Sequence, residues 1–219
     1  MSEAQIEVGA NGPYHVTGGI PLVRQSKVET ERGEPVAWRV DERLETPDEY
    51  WLCRCGNSER KPFCSGMHSK VGFDGTETAP TNTYRERAKT LGGTQVTIYD
   101  DRGICTHAGF CANRVTNAWK AAKMIDDDPQ LREQIVAMVS RCPSGALTYT
   151  VDGRSAEPAL PVQIAVQKDG PLLVMGRIAV RRSDGQAFEV RNRVALCRCG
   201  GSKNKPLCDG THKEIGFTG

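Results

Sequence analysis

Leu196-Cys197-Arg198-Cys199-Gly200-Gly201-Ser202-Lys203-Asn204-Lys205-Pro206-Leu207-Cys208-Asp209-Gly210-Thr211-His212 places three cysteines and one histidine within 16 residues, at the spacing C-x-C-x8-C-x3-H. The same spacing recurs 144 positions upstream, at Cys53, Cys55, Cys64 and His68. Laid on one another, residues 52–73 and 196–217 share 13 identities in 22, among them Arg54/Arg198, Ser58/Ser202, Lys61-Pro62/Lys205-Pro206, Gly66/Gly210 and Gly72-Phe73/Gly216-Phe217. Two copies with one internal spacing indicate a duplicated metal-binding unit.

Thiolate and imidazole donors at short spacing select zinc or an iron–sulfur group. Zinc fingers carry a wider cysteine pair and two histidines; each copy here has C-x-C and a single histidine. Cys208-Asp209-Gly210-Thr211-His212, preceded by C-x-C and Lys205-Pro206, resembles the CDGSH (NEET) iron–sulfur family. The resemblance implies a [2Fe–2S] cluster on three Cys and one His in each copy: Cys53, Cys55, Cys64 and His68, then Cys197, Cys199, Cys208 and His212. The upstream copy keeps those positions but has Ser65 where the family has Asp, and Met67 where it has a small residue. Chains of the family pair their units as dimers. One chain that carries both units implies an internal pseudo-dimer, and a monomer with an internal pseudo-twofold.

The bulk numbers narrow the remainder. The chain has 219 residues, enough for one or two small domains. With 6% aromatic residues and a mean hydropathy of −0.48 the apolar core is modest, so bound metal should supply part of the folding energy. A net charge of +2 argues against nucleic acid as the main partner and offers no reason for membrane attachment. The stretch Met1–Glu7 has neither a basic nor an apolar region and reads as no secretory signal. Nine cysteines suit no disulfide framework but divide into three sets of three. Reduced, metal-ligating thiols imply a cytosol-like, cytoplasmic compartment.

The duplication extends beyond the ligand loops. Gly12-Pro13-Tyr14-x-Val16-x-Gly18-x-Ile20 matches Gly170-Pro171-Leu172-x-Val174-x-Gly176-x-Ile178. Alternating apolar residues between Gly and Pro punctuation predict a small β-meander ahead of each cluster loop. The first copy carries a polar insertion over 27–39, expected as a longer hairpin or loop. Ser65 and Asp209 are expected N-caps of a short helix that carries the histidine and ends at Gly72-Phe73 or Gly216-Phe217. His15 has no counterpart and reads as ordinary surface.

Residues 74–92 are rich in turn formers and mark the boundary into a middle unit. There Gln95–Tyr99 predicts a strand, Asp128-Pro129 opens a helix with Leu131, Ile135, Met138 and Val139 at helical spacing, and Ala146–Val151 predicts a return strand. Trp119 reads as core packing. Cys105-Thr106-His107-Ala108-Gly109-Phe110-Cys111, with the distant Cys142-Pro143, resembles a divergent one-cluster ferredoxin domain whose middle cysteine position is Ala108. The resemblance implies a [3Fe–4S] cluster on Cys105, Cys111 and Cys142, or a [4Fe–4S] cluster whose fourth iron takes His107 or an outside ligand. The competing reading of His107 is a hydrogen-bonding neighbour of the cluster, and that of the whole set is a zinc site.

No dinucleotide, phosphate-binding, nucleophile-elbow or zincin motif occurs. The expected fold is β-rich α+β: CDGSH-type units over 1–78 and 160–219, with a ferredoxin-like βααβ unit inserted at 79–159. The expected function is electron transfer with no substrate chemistry of its own, through a redox partner protein. The alternatives are a carrier that hands clusters to an apo-protein, a redox or pH sensor, and a zinc-stabilised interaction module.

Overall fold

The protein is described here from a computed structural model covering residues 3–219; Met1 and Ser2 of the polar N-terminal stretch lie outside the described residues. The chain opens with β1 (Gln5–Val8), β2 (Tyr14–Thr17), β3 (Leu22–Glu29), β4 (Pro35–Leu44) and β5 (Tyr50–Leu52), then α1 (Met67–Lys70). The middle segment holds α2 (Tyr84–Arg87), β6 (Lys89–Gly92), β7 (Val96–Asp100), α3 (Ala118–Ala121), α4 (Pro129–Ser140), β8 (Leu147–Val151) and β9 (Arg154–Ser155). It closes with β10 (Gln163–Gln167), β11 (Leu172–Met175), β12 (Ala179–Arg181), β13 (Arg193–Leu196) and α5 (Thr211–Glu214). This is a β-rich α+β fold with three small sheets.

Strands of about four residues have little to hold them in an isolated pair and need a wider sheet or a packed face. The two meanders solve this by exchange. β3 leaves the first meander and lies parallel to β10 of the second, with Leu22 opposite Ile164 and Val23 opposite Ala165. β12 makes the reverse journey and lies parallel to β1, with Ile6 opposite Val180. The resulting orders are β12-β1-β2-β5 and β13-β11-β10-β3-β4. Alternation puts Ile6, Val16, Leu22, Leu52, Ile164, Val174, Val194 and Leu196 into one shared core.

The insertion at 27–39 is the outer half of a β3–β4 hairpin, turned by Thr30–Glu34, where Thr30 N–H donates to Glu34 O at 2.9 Å. It reaches the middle unit. Trp38 Nε1–H donates to Arg141 O at 3.1 Å, its ring lies 4.9 Å from that of Phe110, and Lys27 Nζ donates to Ala108 O at 3.4 Å.

The middle unit is a four-stranded antiparallel sheet, β6-β7-β8-β9, packed against α3 and α4. Asp128 caps α4 as its sequence predicts, accepting from Gln130 N–H and Leu131 N–H at 3.0 Å, and Ile135, Met138 and Val139 face the core. Trp119 packs against that core, and its indole N–H donates to Asp100 Oδ2 at 2.7 Å. The stretch 74–92 is more ordered than its composition suggests. Thr83 N–H donates to Glu86 Oε2 at 2.6 Å, half of a capping box that opens α2, and β6 follows directly.

The capping expectation at 65 and 209 needs correction. The residues that enter α1 and α5 are Gly66 (φ 81°) and Gly210 (φ 93°), both left-handed and neither bearing a capping side chain. A left-handed turn between the third cysteine and the helix moves Ser65 and Asp209 one position too early to cap it. The predicted ends hold: Gly72 and Gly216 have φ 60° and 61°, and Phe73 N–H and Phe217 N–H return to His68 O and His212 O at 2.9 Å.

Candidate metal centres

Each duplicated loop is closed by the same backbone bonds. Cys53 N–H donates to Pro62 O (2.8 Å) and Cys64 N–H to Trp51 O (2.9 Å). Their counterparts run from Cys197 to Pro206 O and from Cys208 to Ala195 O, both 2.9 Å. Inside each loop a buried serine donates to the residue before the third cysteine: Ser58 to Phe63 O at 2.5 Å, and Ser202 to Leu207 O at 2.6 Å.

The donors stand in pairs. Cys53 Sγ and Cys55 Sγ are 3.8 Å apart, and Cys64 Sγ lies 3.4 Å from His68 Nδ1. In the second copy the values are 3.6 Å for Cys197 and Cys199 and 3.4 Å for Cys208 and His212. Among the described residues no group of three or more His, Cys, Asp or Glu converges to hold one metal ion. The two loops meet where Cys55 and Cys199 form an antiparallel bridge. Gly56 and Gly200 make that approach possible: a Cβ on Gly56 would run into Cys199 O, and one on Gly200 into Cys55 O.

Arg54 and Arg198, each between the cysteines of a C-x-C pair, turn inward and are 1% exposed. Arg54 donates to Gly9 O (3.0 Å) and Gly75 O (2.5 Å) with its guanidinium 5.6 Å from the Phe73 ring centre. Arg198 donates to Gly170 O (2.8 Å), Gln167 O (2.7 Å) and Gly219 O (2.6 Å), and lies 5.0 Å from the Phe217 ring centre. Each arginine thus ties its C-x-C turn to the phenylalanine that closes the histidine helix. Reading ligand spacing alone overlooks this role, although both arginines, both serines and both phenylalanines are among the shared identities.

The buried thiols of the second loop are strongly perturbed. Cys197 is drawn down to about 6 chiefly by the hydrogen bond from Cys199, and the same bond drives Cys199 upward. Burial pushes Cys208 up to about 12, and burial lowers His212. Two adjacent thiolates repel unless metal neutralises them.

The third set belongs to the middle segment. Cys105, Cys111 and Cys142 line one cavity of about 170 Å³ together with Arg102, His107 and Ser144. That is room for a group of many atoms. His107 N–H donates to Cys105 Sγ at 3.4 Å, and Arg102 Nη1 lies 3.7 Å from the same sulfur. Burial, then the charges of Cys142 and Cys105, raise Cys111. Ala108, at the position of the missing cysteine, is buried and contributes its carbonyl to Lys27. The His107 ring faces Gly210 of the second loop. His15 stacks on Trp51 at 4.9 Å.

The family model described as iron-binding zinc finger, CDGSH type, matches residues 11–69 and 169–213, and that described as divergent 4Fe-4S mono-cluster matches 91–152. The chain thus carries two CDGSH-type segments with a divergent mono-cluster segment inserted between them. It is an iron–sulfur protein. No curated protein matches it. All nine cysteines, His68 and His212 fall inside the matched segments, and none of the cysteines is in a disulfide. Among the described residues no helix is long and apolar enough to cross a membrane.

Proposed function

We propose that the protein is an electron-transfer protein holding two [2Fe–2S] clusters and one [3Fe–4S] or [4Fe–4S] cluster. The observation that carries this is the pairing of donors. Two sulfurs on one tetrahedral metal lie about 3.8 Å apart, given metal–sulfur bonds near 2.3 Å. Cys53/Cys55 and Cys197/Cys199 have that spacing, and Cys64/His68 and Cys208/His212 supply a second pair at each site. Two pairs suit two irons; a single zinc would draw all four donors together. Cys105, Cys111 and Cys142 around one cavity suit a cubane-type cluster.

When bound, such clusters supply one-electron chemistry. The chain's own residues hold the thiolates, aim backbone N–H groups at Cys55, Cys64 and Cys105, and bury the C-x-C turns. Reciprocal strand exchange and the bridge between Cys55 and Cys199 support reading 1–78 and 160–219 as an internal pseudo-dimer in a monomeric protein. Residues 79–159, a sheet with two helices on it, form the inserted ferredoxin-like βααβ unit. The partner is a redox protein, the compartment is reducing and cytoplasmic, and the chain performs no substrate chemistry of its own.

One-electron reduction by a flavoprotein reductase, followed by optical and EPR spectra of anaerobically purified protein, tests this. Cluster hand-over to an apo-ferredoxin, with no reduction, would make the protein a carrier instead.

A further inference from the structure

The duplicated loops agree in backbone and donor geometry yet differ in what lies on top of them. A Cβ on Gly66 would meet nothing within 4 Å, and Gly66 is exposed. A Cβ on Gly210 would lie 2.8 Å from His107 Cδ2, and Gly210 is buried. The adjoining histidines follow suit: His212 is 3% exposed, whereas His68 is half-buried. Cys208 is buried and Cys64 half-buried.

The cover is held from both sides. Lys213 Nζ donates to His107 O at 2.6 Å, and Asn204 Nδ2 donates to Gly103 O at 2.8 Å. The first loop has Ser69 and Arg60 at those two positions, so it lacks the same ties. From the far side the β3–β4 hairpin, present only in the first copy, grips the segment after His107 through Lys27 and Trp38. His107 itself takes a left-handed backbone (φ 55°), uncommon for a residue with a side chain, and its own outer surface stays in solvent.

We infer that His107 is a lid over the C-terminal site. It closes the C-terminal site more than the N-terminal one, and leaves the N-terminal site as the one through which metal leaves or enters more readily. The inference rests on the reading of both loops as metal sites. It assigns His107 a role different from ligation of the middle cluster.

The test follows thiol release in the whole protein. The loaded protein is mixed with a water-soluble iron(II) chelator and dithionite as reductant. Timed samples are pulsed with iodoacetamide, and the labelled cysteines are identified by peptide mass spectrometry. Cys53, Cys55 and Cys64 should be alkylated roughly tenfold sooner than Cys197, Cys199 and Cys208, the scale of a local opening free energy. His107→Ala should close that gap, and Lys213→Ala should narrow it without touching the ring. Equal rates in the wild-type protein, or C-terminal cysteines labelled first, overturn the lid. So does an order that survives both variants unchanged. If His107→Ala does not fold, the wild-type order and Lys213→Ala decide. If the protein holds no iron, thiols label without chelator; that overturns the metal reading, and the order of labelling still tests the lid.

Discussion

The two CDGSH loops are one sequence pattern folded twice, and they differ where other parts of the chain reach them. Within the loop, backbone bonds, the buried serine, the inward arginine and the closing phenylalanine coincide copy for copy. At the rim they part. Asp209 Oδ1 accepts from Thr211 N–H and Thr211 Oγ1–H at 3.0 and 2.7 Å, and its Oδ2 accepts from Lys203 N–H at 2.8 Å. Ser65 keeps only the counterpart of the last, accepting from Glu59 N–H at 3.3 Å. The inserted segment sits over Gly210 of the second rim, and among the described residues nothing lies within 4 Å of a Cβ on Gly66 of the first. Local sequence therefore builds the donor cradle, and the surroundings set how open it is.

The largest expected effect would erase the comparison altogether. Full occupancy of both loops and the middle cavity predicts about seven or eight irons per chain, two plus two plus three or four. Stripping them should lower Tm by on the order of 10 °C, because several kcal/mol of folding energy leave with the metal. Elemental and sulfide assays with a thermal melt check this. Stoichiometric zinc without sulfide would remove the electron-transfer reading.

Next is the arginine under each C-x-C turn. Arg54→Met and Arg198→Met should each cost on the order of 3 kcal/mol in urea denaturation, since buried carbonyls lose charged donors. Arg198 serves three carbonyls and Arg54 two, so the second copy should suffer more. Equal losses would mean that packing on Phe73 and Phe217 outweighs the bonds.

Gly66→Ala and Gly210→Ala form a matched pair. Both force alanine into the left-handed region, at about 1 kcal/mol. Only Gly210→Ala also pushes on His107, and that excess should vanish in the double variant with His107→Ala. Denaturation midpoints of the wild-type protein, the three single variants and the double variant measure it, and no excess would mean that the loop yields freely.

The smallest effect concerns the rim carboxylate. Burial raises the Asp209 carboxyl, yet bonds from Thr211 and the Lys203 N–H outweigh it and hold the group below the usual carboxylate value. A depressed acid stabilises the fold above its unfolded value, and that contribution fades as pH falls through the lower folded value. At mildly acidic pH Asp209 still holds its turn, while Ser65 offers a weaker, neutral bond. The N-terminal loop should then lose its metal about fivefold faster, matching the roughly 1 kcal/mol of a hydrogen bond. Exchanging the pair as Ser65→Asp with Asp209→Ser should narrow the difference, followed by absorbance in proteins that keep one loop intact through Cys199→Ser or Cys55→Ser. Met67 acts against this trend if it shields His68.

Much of the site was legible in the residues. Spacing alone divides the nine cysteines into three sets, because donors to one small group must lie within a short loop or at its return. The meanders, the α4 cap and the Gly-Phe helix ends were equally readable, since turn and cap chemistry is local. The capping of α2 was present as Thr83-x-x-Glu86 but obscured by the turn formers around it. The role of Arg54 and Arg198 lay in the identities, yet spacing says nothing of where a long side chain goes. Only the tertiary structure decided that β3 and β12 change partners, because parallel pairing joins residues far apart in sequence and either sheet was available to them. It alone brought Cys55 beside Cys199, made the 27–39 hairpin a clasp, and laid His107 over Gly210 while leaving Gly66 open. Those contacts depend on where one folded unit lies against another, and packing across a long chain separation leaves no periodic mark in sequence.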